Sequence, residues 1–309
     1  MGALSAVSPP ATNPDVVVTV IIPTLGRPTL RRAMESVVHQ QVRSKILIVN
    51  DSGRALSEIT DFLKSWPEQD IDVITTDGHE GAAHARNLGM ARVSSAYIAF
   101  LDDDDYWLPT HLDRAVSWLE RNSHTDLYSC RALVKGLRQR REPLELLGDR
   151  TLLSYLYGPD IWRSRNRRIL TPTIVFRRDL AAVPMDPRLH AGEDTWWLLS
   201  LEAKGYAMYQ SPEVGGVVEA DETRQARRVN RRRQQAWARR VDQLQAGAGA
   251  AYLFGVEARA AARSGRPDRV LGLVASSRGL RRRWRWCLLV PVWLTIGCLQ
   301  RIVHRGAVH

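Results

Sequence analysis

The apolar positions in the first third of the chain follow two alternating periods. Residues 16–22, 45–49, 71–75 and 96–101 are short runs rich in Val and Ile, apolar on both faces or nearly so. That is the pattern of parallel strands covered on both sides. Between the first two, residues 29–41 place Leu30, Ala33, Met34, Val37 and Val38 at helical spacing, and residues 56–66 and 81–90 are also predicted as helices. Pro23-Thr24-Leu25-Gly26-Arg27-Pro28 breaks the first strand, and Asn50-Asp51-Ser52-Gly53 follows the second, both with turn chemistry. Repeated strand and helix predict a doubly wound α/β sheet.

After Leu119 the pattern loosens. Residues 126–130 are predicted as a strand, 131–168 as a long, basic, irregular segment, and 169–176 as an apolar, extended one. Glu193-Asp194 then open an apolar helix, and from Arg224 onward the chain is predicted to be wholly helical, with no internal repeat.

The fourth strand delivers Asp102-Asp103-Asp104-Asp105. Ionised carboxylates repel one another and cost several kcal/mol to desolvate, so the run needs a cation or an exposed site. Ligands bind at the carboxyl ends of strands in an open α/β sheet. All-oxygen ligands suit a hard divalent ion, Mg²⁺ or Mn²⁺, held with help from substrate phosphates. The plainer reading is a solvated acidic loop capping the helix that begins near Pro109. The first turn has neither Gly-x-Gly-x-x-Gly nor a Gly-x-x-x-x-Gly-Lys phosphate loop, so nucleotide binding here requires side chains and a metal.

Composition changes the picture in one respect. With 309 residues, 44% hydrophobic and 25% charged, the chain has room for one large or two modest globular domains. Its net charge of +11 implies an anionic partner: nucleic acid, a membrane surface or a phosphorylated substrate. The excess lies in arginines of the second half. Cys130, Cys287 and Cys298 are too few and scattered for a disulfide framework or zinc site, which predicts reduced, intracellular thiols. His84, His111 and His190 are single, unclustered and assigned no metal. Residues 1–15 lack the pattern of a signal peptide and are predicted to be a disordered leader.

Four features stand in order at strand ends or helix starts: Pro23-Thr24, Asp51, Asp102–Asp105 and Glu193-Asp194. Gly81-Ala82-Ala83-His84-Ala85-Arg86-Asn87-Leu88-Gly89 lies between the second and third. Over residues 17–201 this order and spacing resemble the family 2 glycosyltransferases of GT-A fold. The resemblance implies a Rossmann-like mixed sheet over residues 16–220; the basic helical C-terminal region expected over 221–309 is read from its own residues. It implies an inverting, metal-dependent transferase that uses a nucleotide sugar, with UDP-sugar as the expected donor. Pro23 and Thr24 would lie beside the nucleotide, Asp51 would accept a hydrogen bond from the base, and Arg86 would pair with phosphate or sugar oxygens. Asp102 and Asp103 would serve the donor site, Asp103 facing solvent. Asp104 and Asp102 would hold Mn²⁺ or Mg²⁺, Asp104 most directly. Asp194 would be the catalytic base and Glu193 its neighbour. Leu25, Gly26 and Asn50 depart from the residues most relatives carry.

In the tail, Arg281-Arg282-Arg283-Trp284-Arg285-Trp286 abut the apolar run 287–299, which Pro291 interrupts. The run is shorter than the roughly 20 residues that span a bilayer. Arginine and tryptophan beside an apolar segment suit an interfacial helix on anionic lipid; a helix packed on the domain is the alternative. The expected setting is the cytoplasmic face of the cell membrane, with an acceptor glycan or lipid-linked acceptor as partner. Two other functions fit less well. A non-catalytic nucleic-acid-binding protein would explain the charge, but the tail carries no recognisable binding motif. A nucleotidyltransferase would share the metal logic but needs a basic, glycine-rich first loop.

Overall fold

Strand β1 (Val18–Thr24) is the centre from which the rest is built. Its side chains alternate between the two faces of the sheet, and both faces are covered. The computed structural model describes residues 16–220 except 57–61, 63, 137–138, 158–166 and 190, together with 231–246, 248–249 and 252–253. On one face Val18, Val20 and Ile22 join the buried cluster that contains Leu30, Ala33, Met34 and Val37 of helix α1 (Leu30–Val38). On the other face Ile21 meets helix α2 (Ala82–Met90), where a Cβ on Gly89 would come within 2.7 Å of the Ile21 side chain. Gly89 is what lets that helix approach so closely.

Strands β2 (Ser44–Asn50), β3 (Ile71–Thr75) and β4 (Tyr97–Phe100) run parallel to β1, in the order β3-β2-β1-β4. The chain winds outward through β2 and β3, then returns to the other side of β1. The carboxyl ends of β1 and β4 therefore flank the topological switch point, where such sheets bind ligands. Thr24, Asn50 and Thr75 stand in register there. This half agrees with the predicted elements. Most of the predicted helix at 56–66 lies outside the described residues.

Past the acidic run come β5 (Tyr106–Trp107), helix α3 (His111–Arg121), β6 (Leu127–Lys135) and β7 (Arg140–Glu142). The segment predicted as irregular from 131 onward thus contains the second half of β6 and all of β7. A 3-10 turn (Thr171–Thr173) leads into β8 (Val175–Arg177), and helix α4 (Glu193–Ala203) into β9 (Met208–Glu219). The sheet continues β4-β8-β6-β9-β5, with β8 antiparallel to β4 and β6, and β9 parallel to β6.

Strand β9 has no counterpart among the predicted elements. Pro212, Gly215 and Gly216 break its alternation, and such residues argue against a strand. The structure accommodates them with register shifts opposite Cys130, Arg131 and Ala132. A bulge of this kind leaves residues unpaired and keeps the strand going. Gly215 is also where β9 passes the buried side chains of His111 and Cys130, both of which a Cβ would overlap. The His111 ring has no room to retreat: it packs on Trp107 at 4.9 Å between centroids, and burial pushes its pKa down to about 3.

The core behind β4 and β8 is aromatic. Phe100, Phe176 and Trp197 are fully buried, with ring centroids 5.0 to 5.6 Å apart. Each such pair adds about 1 kcal/mol beyond its buried area. The Trp197 indole also donates to the Val183 carbonyl at 2.7 Å, so the first turns of α4 have one fixed position against the sheet.

The chain divides into two compact units, residues 1–149 with 166–221, and residues 150–165 with 222–309. The second unit includes helices Leu152–Tyr157 and Arg231–Leu244. Within it the Trp237 indole donates to the Tyr157 hydroxyl at 3.1 Å, and Tyr157 meets Tyr252 edge-on. The predicted leader, most of the basic tail and its apolar run at 287–299 lie outside the described residues. No described helix is long and apolar enough to cross a membrane.

Replacing Gly215 with Ala tests the account of β9. The added methyl overlaps two buried side chains, and overpacking of this kind costs about 1–3 kcal/mol. Thermal denaturation should show a Tm several degrees below wild type. An unchanged Tm would mean that β9 does not pass His111 and Cys130 as described.

Candidate active site

The end of β1 is tied to the acidic run by one buried carboxylate. The Thr24 hydroxyl donates to Asp103 Oδ2 at 2.6 Å and accepts the Gly26 N–H at 2.9 Å. The Leu25 N–H reaches the same Asp103 oxygen at 3.4 Å, and Arg27 Nη1 lies 2.7 Å from Asp103 Oδ1. Asp103, expected to face solvent, is only 3% exposed. Its oxygens are taken up by the β1–α1 loop, and that is why it is buried. Gly26, at φ +73°, supplies the left-handed turn that aims these N–H groups inward.

Asp105 is buried to the same extent and accepts the Glu219 N–H at 2.9 Å, which fastens the loop to the end of β9. Burial and the charge of Asp102 hold its pKa above the usual carboxylate range. Two of the four carboxyl groups thus hold the loop in place. The other two face outward: the Asp102 and Asp104 side chains are 33% and 34% exposed.

Arg86 lies beside them. It projects from α2, is almost completely buried, and places Nη2 2.6 Å from Asp102 Oδ1 and Nη1 3.6 Å from Glu193 Oε1. Burial opposes the charge on this guanidinium, but Asp102, Glu193 and Asp194 outweigh that and raise its pKa. The sequence-predicted residues Arg86, Asp102, Glu193 and Asp194 therefore come together in space. Glu193 is held above the usual carboxylate range by burial and by the neighbouring Asp194, with Arg86 pulling the other way.

Asp194 occupies the first turn of α4, which begins after Gly192 at φ +75°. Its Oδ2 accepts the Thr171 hydroxyl at 2.7 Å, and its Oδ1 accepts the N–H of Thr195 at 2.6 Å.

Asp51, at the end of β2, is buried and faces the chain. Its Oδ1 accepts the Thr76 hydroxyl at 2.5 Å and the Glu80 N–H at 3.0 Å; Oδ2 accepts the Gly81 N–H at 2.8 Å. The side chain expected to read a base thus also orders the loop that enters α2. Burial alone would raise its pKa, but the bonds from Thr76, Gly81 and Glu80 outweigh burial and lower it. Asn50 completes the turn, donating to the Arg54 carbonyl at 2.6 Å and accepting the Ser52 N–H at 3.1 Å.

Among the described residues no three His, Cys, Asp or Glu side chains are grouped to hold a metal ion. Mg²⁺ and Mn²⁺ do not require three: one or two carboxylates suffice when phosphates and waters complete the shell. Asp102 and Asp104 are such a pair, all oxygen and partly exposed. Burial and the charges of Asp102 and Asp103 hold the Asp104 pKa up against the pull of Arg27. Each member of the pair is already matched with an arginine, Asp102 with Arg86 at 2.6 Å and Asp104 with Arg27 at 2.7 Å, and the carboxylate oxygens these contacts leave over are the hard donors that suit such an ion.

A switch-point crevice with an outward carboxylate pair and a helix-borne acid across Arg86 suits transfer from a diphosphate donor. The sequence model of glycosyl transferase family 2 matches residues 19–182, more than half of the chain. The chain belongs to that family. Among curated family relatives, it is 30% identical over 116 residues to an Escherichia coli UDP-Glc:alpha-D-GlcNAc-diphosphoundecaprenol beta-1,3-glucosyltransferase, WfgD. That match covers 37% of this chain and 45% of the relative, so the chain spans less than half that protein's length. It is 25% identical over 206 residues to the Bacillus subtilis putative teichuronic acid biosynthesis glycosyltransferase TuaG, covering 64% and 77%. Among solved structures, S. aureus TarS 1-349 in complex with UDP-GlcNAc superposes with a TM-score of 0.59 at 14% identity, covering 84% of this chain and 80% of that one. The fold is therefore GT-A.

Several contributors to this family 2 site escape sequence reasoning. Arg27 bridges Asp103 and Asp104 through a single nitrogen, 2.7 Å from each; next to Gly26 and Pro28 it reads as an ordinary loop residue. Asp105 reads as one more acid in the run, and its partner strand β9 is not predicted. Thr171 carries no signal at all, lying 23 residues before the Asp194 it touches.

The Asp51 hydrogen bonds predict a pH-dependent stability. A depressed carboxylate pKa stabilises the fold fully above the unfolded value, and that stabilisation is lost as pH falls through the folded one. Asp51→Asn should therefore destabilise the protein by about 2 kcal/mol at pH 7. The gap should begin to shrink below about pH 4, where the unfolded chain takes up the proton, and go on shrinking until the folded carboxyl titrates at its lower value. Urea denaturation of both proteins at pH 7 and pH 3.5 checks this, and an equal gap at the two pH values would contradict it.

Proposed function

We propose that this chain transfers a sugar, with inversion, from a nucleoside-diphosphate donor, a UDP-sugar, to a hydroxyl of a lipid-linked acceptor. The observation that carries this reading is the gathering of Asp102, Glu193 and Asp194 around Arg86, with Asp104 facing outward beside them. It supports reading a carboxylate pair that faces the diphosphate and a candidate base as parts of one site. In this reading Pro23, Thr24 and Asp51 frame the nucleotide at the ends of β1 and β2. Asp103 shapes the donor loop through Thr24, Leu25 and Arg27. Asp102 and Asp104 would hold Mg²⁺ or Mn²⁺; when bound there, the ion supplies positive charge against the diphosphate leaving group.

The chain's own groups do the rest. Arg86 holds Asp102 in place at 2.6 Å, and in this reading a guanidinium so placed also serves the phosphate or sugar oxygens of the donor. Asp194 takes the proton of the acceptor hydroxyl as that oxygen attacks the anomeric carbon. With one base and no second carboxylate assigned as nucleophile, a single displacement inverts the anomeric centre.

The acceptor proposal draws on the E. coli relative, whose printed activity acts on a diphosphoundecaprenol-linked sugar. It also draws on the Arg281–Trp286 run beside the apolar residues 287–299. A peripheral site at the cytoplasmic membrane face follows, with residues 16–220 as the catalytic domain and 221–309 as the basic region that meets lipid. Each arginine near an anionic surface contributes about 1 kcal/mol. Wild-type protein should co-sediment with anionic liposomes at low salt, and a variant ending at residue 277 should not. Wild-type protein left in the supernatant would sink the membrane assignment.

Donor chemistry is tested by thermal shift with UDP-glucose, UDP-GlcNAc, GDP-mannose and dTDP-glucose, with and without Mn²⁺. At least one UDP-sugar should stabilise the wild type only when Mn²⁺ is present, and Asp104→Asn should abolish the response. Asp194→Asn should keep the response but lower turnover by about 10²-fold or more, the size of a lost general base. A UDP-sugar response of equal size with and without Mn²⁺ would overturn the metal role, and near-wild-type turnover in Asp194→Asn would move the base elsewhere.

A further inference from the structure

Carboxylates in the first turn of a helix ordinarily sample a broad range of χ2 angles. Asp194 does not have that freedom. Its Oδ1 is held by its own helix, through the N–H of Thr195 at 2.6 Å and the Thr195 hydroxyl at 3.3 Å. Its Oδ2 is held from a different element, by the Thr171 hydroxyl at 2.7 Å. Two anchors from two directions fix the plane of the carboxylate.

The second anchor is itself fixed. Thr171 is 6% exposed, and its 3-10 turn is closed by the Thr173 N–H and hydroxyl, both donating to the Leu170 carbonyl at 2.9 and 2.7 Å. The Pro172 carbonyl accepts the Trp107 indole N–H at 2.6 Å. Trp107 is fully packed and stands two residues after the acidic run, with its own N–H donated to the Ser36 hydroxyl at 3.0 Å. A short chain of hydrogen bonds thus runs from the strand that follows Asp102–Asp105, through Trp107 and Pro172, to Thr171 and Asp194.

We propose that Thr171 is a positioning residue for the catalytic base: its hydroxyl sets which Asp194 lone pair faces the acceptor, and the Trp107–Pro172 bond refers that setting to the loop that holds the donor. The proposal rests on the reading of Asp194 as the base. The physical requirement is alignment. In a single displacement the acceptor oxygen, its proton and the base oxygen must lie on the far side of the sugar from the leaving diphosphate. Misplacing a reacting group by about 1 Å can cost about 10²-fold in rate. Thr171 fills one lone pair of Oδ2, so the acceptor proton has a restricted choice of approach.

The test compares Thr171→Val, which keeps the shape and loses the donor, with Thr171→Ser, which keeps the donor and loses a methyl. Nucleoside-diphosphate release is followed for whichever of UDP-glucose, UDP-GlcNAc and GDP-mannose the wild type turns over fastest. Thr171→Val should lower kcat by about 10- to 10²-fold, with the donor KM and the donor-induced thermal shift within twofold of wild type. Thr171→Ser should stay within about threefold of wild type in kcat. In an Asp194→Asn background, Thr171→Val should lower turnover no further. Near-wild-type kcat in Thr171→Val, a serine variant as slow as the valine variant, or a full additional loss in the double variant would each overturn the proposal. Should Thr171→Val not fold, Thr171→Ala against Thr171→Ser makes the same comparison. Asp194→Asn with wild-type turnover would instead remove the base assignment, and a wild type that turns over none of the donors would remove the glycosyl-transfer reading on which both depend.

Discussion

Asp102, Glu193 and Asp194 come from two elements far apart in sequence, and three carboxylates share so small a volume only because the Arg86 guanidinium lies among them. Without a cation, like charges at this depth repel and each loses hydration worth several kcal/mol. Arg86 is itself buried, which is tolerable only because its charge is matched. Acids and arginine are therefore mutually required. Removing either leaves an uncompensated buried charge, so the junction between the acidic run and α4 stands or falls as a unit.

The same logic divides the acidic run. Asp102–Asp105 is a tight turn, closed by the Asp105 N–H donating to the Asp102 carbonyl at 3.1 Å, with Asp103 and Asp105 buried and Asp102 and Asp104 partly exposed. The inward pair finds hydrogen-bond donors, from Thr24, Leu25 and Arg27 in one case and Glu219 in the other. Burial and the neighbouring Asp102 raise the pKa of Asp105. The outward pair is matched by arginine, Asp102 by Arg86 at 2.6 Å and Asp104 by Arg27 at 2.7 Å, and each keeps about a third of its side chain exposed, where the further cation contacts proposed for them can form. A run of four acids thus serves the fold and the chemistry at once.

How much of this was legible follows from the range of the interactions. Strands β1 to β4 announce themselves because each is a local apolar run bounded by turn residues, and parallel strands buried on both faces show little else. Asp51, Arg86, Asp102, Asp104, Glu193 and Asp194 could be picked out because carboxylates and arginines at strand ends stand out against an apolar background. Strand β9 could not, since Pro212 and its paired glycines look like a loop until β6 is seen beside it, with the extra residues bulged out of β9. Thr171 and Trp107 could not either, because a threonine and a tryptophan in apolar surroundings look like core. Their roles exist only through contacts spanning 23 and 65 residues. The inward turn of Asp103 was hidden for a related reason: its partners lie 76 to 79 residues earlier.

The antiparallel strand β8 explains why the two halves of the site meet. Parallel strands all deliver their loops to one end of the sheet, which suffices for the nucleotide but leaves the base to arrive from elsewhere. Because β8 runs against β4, the residues that enter β8 lie beside the residues that leave β4: Val175 pairs with Ala99, and the Phe100 N–H donates to the Ile174 carbonyl at 3.2 Å. The turn Thr171–Thr173 is thereby brought level with the start of the acidic run. After β8 the chain makes one more short excursion, and the aromatic trio of Phe100, Phe176 and Trp197 fixes α4 against the same two strands. The first turn of α4 then has to open at that end of the sheet. Reversal of a single strand thus brings Asp194, its Thr171 partner and the partly exposed carboxylates of the acidic run to the same end of the sheet.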